Sequence, residues 1–198
     1  MKKTFFAIST LCFLAACAAF LSDYVVTENS EGTSSAPFWI SPSGARKIDP
    51  SDDAGQYLYF VGEAQDKSQR LCLKNAETDA LKEIASETRK KVMKRFREIK
   101  KSQKAFSAIK EKMEQNLLVF VQNDIPVRQY WERRDHLKEK GAASNYTAYK
   151  CNAVTKIKKT DLINALEAYR MKTVKTMPDN DKKAMEKAVD YYVKKLKR

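Results

Sequence analysis

Apolar positions recur along this chain in several rhythms, and each rhythm predicts an element. From Ser68 onward Leu73, Ala76, Ala80, Leu81, Ile84, Thr88, Val92, Phe96 and Ile99 repeat at helical spacing, which predicts one long amphipathic helix. Its first turns use alanine, as a helix lying close on a sheet requires. Phe106, Ile109, Met113, Leu117 and Phe120 or Val121 predict a second helix, stopped by Asn123-Asp124 and Pro126. Thr160 or Asp161 can cap a third helix through Leu162, Leu166 and Tyr169. Pro178-Asp179 opens a last helix with Met185, Ala188, Val189, Tyr192 and Leu196 on one stripe and lysines on the other side.

Between these helices the period shortens to two. Tyr146 to Ile157 alternates, with Thr147, Tyr149, Cys151, Ala153 and Ile157 on one face and Tyr146, Lys150, Asn152 and Lys156 on the other, which predicts a half-exposed antiparallel strand with Cys151 pointing inward. Val127 to Arg134, with Tyr130 and Trp131, reads as a second strand, followed by a polar connection from Asp135 to Asn145. Tyr57 to Val61 is apolar or aromatic throughout, as in a buried central strand covered on both faces, and Gly62 then lets the chain leave the sheet. The expected fold is α+β: a small three-stranded, mostly antiparallel sheet with long amphipathic helices packed on one face, over residues 52–177. A basic C-terminal helix follows over residues 178–198. No internal repeat and no sustained heptad is present.

The first fifty residues follow none of these rhythms. Met1-Lys2-Lys3 is a charged start, and Phe5 to Ala16 is an apolar run of about a dozen residues. A membrane-spanning helix needs roughly twenty residues. A charged start, a short apolar run and small residues before a cleavage point describe a secretory leader, residues 1–16. Its ending, Leu14-Ala15-Ala16-Cys17, resembles the lipobox of bacterial lipoproteins. The resemblance implies cleavage before Cys17 and acylation of Cys17. The alternative is an ordinary secretory signal cut near Ala18 or Ala19. Ala18 stands where an aspartate retains enterobacterial lipoproteins in the inner membrane, so the resemblance implies the outer membrane. Residues 17–51, rich in Ser, Gly and Pro, read as a flexible tether. Within them Pro37-Phe38-Trp39-Ile40-Ser41-Pro42 is an apolar island suited to capping a core.

Charge and cysteine count narrow the picture further. The whole chain carries a net +13. Loss of Lys2 and Lys3 with the leader leaves 36 basic and 25 acidic residues, a net +11. Between Arg89 and Lys112 eleven basic residues face only Glu98 and Glu111. The candidate anion-binding set is Lys90, Lys91, Lys94, Arg95, Arg97, Lys100, Lys101 and Lys104, with a solvated helix face as the alternative. Its ligands would be peptidoglycan or lipopolysaccharide; an envelope location makes nucleic acid an unsuitable partner. With Cys12 in the leader and Cys17 acylated, Cys72 and Cys151 remain. Both fall on core-facing positions, so a disulfide is expected outside the cytosol, two buried free thiols being the alternative.

The residues from Trp39 to Tyr169 also carry a resemblance. A Trp-Ile near a proline, the Tyr57–Gly62 strand, the alanine-spaced helix and the Tyr146–Tyr169 strand-and-helix resemble the Lpp-twenty family of small bacterial lipoproteins. The resemblance implies a surface or envelope-structural role, exercised through protein partners, and transfers no catalytic residue. The long basic helix, the cysteine pair and the helix after Pro178 depart from that pattern.

Catalytic chemistry finds little to use. His136 is the sole histidine and sits in a charged stretch, Arg133 to Lys138, where a solvated surface position is expected. No histidine or thiolate cluster is available for a metal, and five glycines form no phosphate-binding spacing. Asp52-Asp53 before Gly55 reads as a turn. The expectation is a protein without cofactor that is not an enzyme.

Overall fold

The computed structural model describes residues 22–48, 55–100, 106–121 and 126–198. Its strands are β1 (Tyr24–Asn29), β2 (Tyr57–Asp66), β3 (Pro126–His136) and β4 (Tyr146–Lys158). They form one four-stranded antiparallel sheet in the order β1-β3-β4-β2. The helices are α1 (Pro42–Ala45), α2 (Gln69–Ile99), α3 (Phe106–Val121), α4 (Lys159–Lys172) and α5 (Asp179–Leu196), with a 3-10 turn at Phe38–Ile40 before α1.

The sheet has four strands where the sequence predicts three, because the segment that reads as a tether supplies β1. Tyr24 pairs with His136 and Asn29 with Glu132, with a register shift between Val26 and Glu28. Leu137 N–H donates to the Asp23 carbonyl at 2.9 Å and Ser30 N–H to the Trp131 carbonyl at 3.0 Å, extending the pairing beyond both ends. The four middle residues of β1 are solvent-exposed. An edge strand held by backbone hydrogen bonds leaves no apolar alternation to read, so composition alone misassigns it.

Two strand roles differ from the sequence expectation: β4, expected to be half-exposed, is central and buried on both faces, and β2, expected to be central, lies at the sheet edge, because packing from both layers falls on β4. Cys151, Ala153 and Ile157 point to one side, Asn152 and Val154 to the other. On the first side Leu58, Phe60 and Ile157 join a core with Ile84, Val92 and Phe96 of α2, Met113 and Leu117 of α3, Leu162 and Leu166 of α4, and Met185 and Val189 of α5. On the second side Trp39 packs edge-on to Tyr130, ring centroids 6.4 Å apart, over Val154, Tyr59 and Val61. The apolar island before α1 is thus a lid on the face opposite the long helices.

Gly62 does not end β2, which runs on to Asp66. A Cβ at Gly62 would collide with the Ala76 carbonyl and the Ala80 backbone of α2. The glycine marks the closest approach of helix to sheet, the place where Ala76 and Ala80 are also fully buried. From there α2 runs back along β2, with Ile84 joining the cluster that contains Phe60 and Leu58, and continues past the sheet to Ile99. At about 1.5 Å per residue its 31 residues span about 46 Å.

Smaller differences follow from local chemistry. The helix expected to be capped by Thr160 or Asp161 begins at Lys159 directly from β4, without a side-chain cap bond. The basic C-terminal segment is no appendage: Met185, Ala188 and Val189 of α5 are fully buried in the main core.

Candidate functional site

The second half of α2, beyond the sheet, carries the basic block, and its two flanks are dressed differently. One flank faces α5. Arg95 places its guanidinium 4.8 Å from the Tyr191 ring centroid and pairs with Glu98 at 2.8 Å. Lys91 sits 5.9 Å from the Tyr192 ring centroid. Lys100 is ion-paired with Asp181 in the first turn of α5. These three cations are committed to packing α5 against α2.

The other flank faces α3. Arg89, Lys90, Met93, Lys94, Arg97 and Lys110 line an open cleft of about 300 Å³. Arg89 lies at its inner end, mostly buried, and its Nε meets the Glu114 carboxylate of α3 at 3.1 Å. Lys90 reaches Glu87 at 2.8 Å and Glu83 at 3.8 Å. Its hydrogen bond holds the Glu87 carboxyl below the usual range, and the same bond raises the Lys90 ammonium. Lys94 and Lys110 are exposed and form no ion pair among the described residues. A cleft with two guanidiniums, three ammoniums and a methionine floor suits an anionic group.

The predicted set is therefore divided: Lys90, Lys94 and Arg97 reach the cleft, and Lys91, Arg95 and Lys100 turn to α5. Lys101, Lys104 and Cys17 lie outside the described residues. Arg89 and Lys110 join the site without having been in that set. The spacing 89, 93, 97 placed Arg89 and Arg97 on one helical side of Met93, but only the position of α3 shows that this side faces Lys110.

The expected cysteine pair is a disulfide: Cys72 and Cys151 are bonded at 2.01 Å with Cα atoms 5.7 Å apart. Both are fully buried beside Ala76, Ala153 and Trp131.

His136 is not on a solvated loop. It ends β3, only 6% exposed, on the sheet face that also carries Trp39's lid. Tyr146 stacks on it with centroids 4.3 Å apart and planes 4° apart, and Tyr24 closes from the side at 5.5 Å. Its Nδ1 lies 3.1 Å from the Asp23 carboxylate. Along the same face Arg134 hydrogen-bonds Glu132 through Nε at 2.6 Å and lies 4.0 Å from the Tyr24 centroid. The Tyr130 hydroxyl donates to Glu132 at 3.2 Å. Burial, reinforced by the Glu132 charge, pushes the Tyr130 phenol up to about 12. The alternation Tyr130, Glu132, Arg134, His136 was the available signal, hidden by its polar content. These contacts tie β1 to β3 and β4 and leave the imidazole faces occupied.

Among the described residues no group of three or more His, Cys, Asp or Glu could hold a metal ion. No described helix is long and apolar enough to cross a membrane. No family model, no curated protein and no solved structure matches the chain.

Proposed function

We propose that this chain is a lipid-anchored bacterial lipoprotein of the outer membrane, acting without catalysis as a structural or assembly part of the cell envelope through protein contacts. The observation that carries the reading is the Leu14–Cys17 lipobox ahead of a domain whose core holds the Cys72–Cys151 disulfide. A leader of this kind directs export, and a buried disulfide belongs to an oxidising compartment. Acylation of Cys17 with two or three chains gives stable anchoring, since each buried methylene contributes about 0.8 kcal/mol. The likeness to small envelope lipoproteins, carried by the Tyr57–Gly62 strand and the alanine-spaced helix, belongs to the same reading.

Cys17→Ala tests the anchor. The variant should appear in the soluble periplasmic fraction and lose partitioning into the detergent phase; unchanged membrane fractionation would overturn the reading. Crosslinking in cells, followed by identification of captured proteins, tests the assembly role, and capture of no envelope protein would remove it.

A further inference from the structure

Asp23, near the start of the described chain, and the basic cleft lie at opposite ends of the domain, and their separation limits what the cleft can reach. Asp23 is six residues after Cys17, so the acylated residue lies within about 20 Å of Asp23 even when the chain between is fully extended. Asp23 sits beside His136 and Tyr146, at the end of the sheet where β3 finishes and β4 begins. The Ala64–Cys151 pair lies further into the sheet from this end, and there the disulfide attaches the first turn of α2. From Cys72 the helix leads away, past Gly62 and then past Leu58, toward the far end of the sheet. Lys94 is about 33 Å from Cys72 along the helix axis. The cleft thus lies at the end of the domain opposite Asp23, farther from Asp23 than the six residues back to Cys17 can span.

The charges at that far end are open to a partner. Lys94 and Lys110 have no ion pair among the described residues, and they stand across the cleft from each other on α2 and α3. Arg89 and Lys90 already balance Glu114, Glu83 and Glu87, so they fix the walls and leave the outer lysines to the ligand. An open cleft of about 300 Å³ admits one or two anionic groups of a larger chain and does not enclose a whole ligand. Such a site gains affinity from a polymer that offers acidic groups repeatedly.

We propose that the α2–α3 cleft binds an acidic cell-wall polymer, one carrying repeated carboxylates on a glycan-peptide network, lying beyond the anchoring membrane. The inference rests on the Cys17 anchor for its direction and on Lys94 and Lys110 for its chemistry. It makes the protein a spacer: acyl chains at one end, an anion-binding cleft at the other, and α2 as the rigid strut between them.

The test uses the full-length lipidated protein in detergent, with purified insoluble peptidoglycan sacculi and, separately, vesicles of anionic phospholipid as probes. Lys94→Glu/Lys110→Glu should weaken sacculus binding by about tenfold or more, and added salt should weaken the wild type in parallel. Lys183→Glu/Lys187→Glu, the same change in charge on exposed positions of α5, should leave binding near wild type. Equal loss in both double variants, no binding to sacculi at low salt, or binding to vesicles through Lys94 and Lys110 in place of sacculi would each overturn the proposal. If the Glu variant melts early, Lys94→Gln/Lys110→Gln provides the same comparison at lower cost to folding. Cys17→Ala protein should still bind sacculi. Loss of the anchor with retained binding separates a failure of the membrane reading from a failure of the cleft.

Discussion

Cys72, in the first turn of α2, and Cys151, in the middle of the central strand, are joined across the helix–sheet interface with their Cα atoms 5.7 Å apart. The bond joins residues 79 positions apart in the chain and fixes the first turn of α2 to the sheet. Closing a loop of that size stabilises by about 4 kcal/mol in the chain-entropy account.

Reduction should therefore lower the melting temperature by about 10 °C for a chain of this length. Thermal melts with and without reductant measure it, alongside non-reducing mass spectrometry of the 72–151 link. An unchanged melting temperature would show that the bond constrains nothing the fold does not already hold.

Gly62→Ala should be among the most damaging single-methyl additions available. The new Cβ meets backbone atoms of Ala76 and Ala80, which cannot rotate away, so α2 must lift from β2. A loss of about 3 kcal/mol or more is expected. Equilibrium denaturation measures it; a loss below about 1 kcal/mol would mean that α2 does not lie this close.

His136→Ala should loosen β1 without unfolding the domain. The substitution removes the ring held between Tyr146 and Tyr24 and the contact to Asp23. A cost of about 2 kcal/mol is expected, concentrated on the edge strand. Faster amide exchange at Tyr24–Asn29, with β2 and β4 unchanged, is the signature. Uniform acceleration across the sheet would argue that the ring supports the whole core.

Alkaline pH should destabilise the fold through buried phenols. Burial pushes Tyr192 up to about 12 and raises Tyr169 as well, while Tyr130 is raised to about 12 by burial and Glu132. An unfolded tyrosine ionises near 10. Both states are protonated below that pH, so the stability is fully present there. Above it the unfolded state releases protons first, and stability falls as pH rises from about 10 toward 12. Tyr192→Phe should flatten this decline by about 2 kcal/mol near pH 12, read from denaturant titrations at several pH values. An identical pH profile in the variant would place Tyr192 in contact with water.

Much of the architecture was legible because burial leaves a period. The stripe from Leu73 to Phe96 announced α2, Met185 to Leu196 announced α5, and the alternation in Tyr146–Ile157 put Cys151 on the inner face that meets Cys72. Trp39 between prolines was readable as a core cap because an aromatic that size rarely stays in water when an apolar surface is near. The leader-like pattern up to Cys17 is a sequence motif alone, since those residues lie outside the described ones.

Apolar spacing is a property of the chain, so it marked most inward residues of the long helices and the inner face of β4, while Asn152, placed on the outer face, proved buried under the second layer. How those elements meet depends on contacts between segments far apart along the chain. Tyr24–Asn29 became a strand through backbone bonds to β3, which no side-chain pattern encodes. Gly62 became a contact point because α2 passes over it, and His136 became buried because Tyr24 and Tyr146 arrive from strands 112 and 10 positions away. The basic run was divided the same way: α5 took Lys91, Arg95 and Lys100, and α3 gathered Arg89, Lys94 and Lys110 into a cleft. Charge is written along the chain, but a charged site forms only where two elements bring their charges to one place.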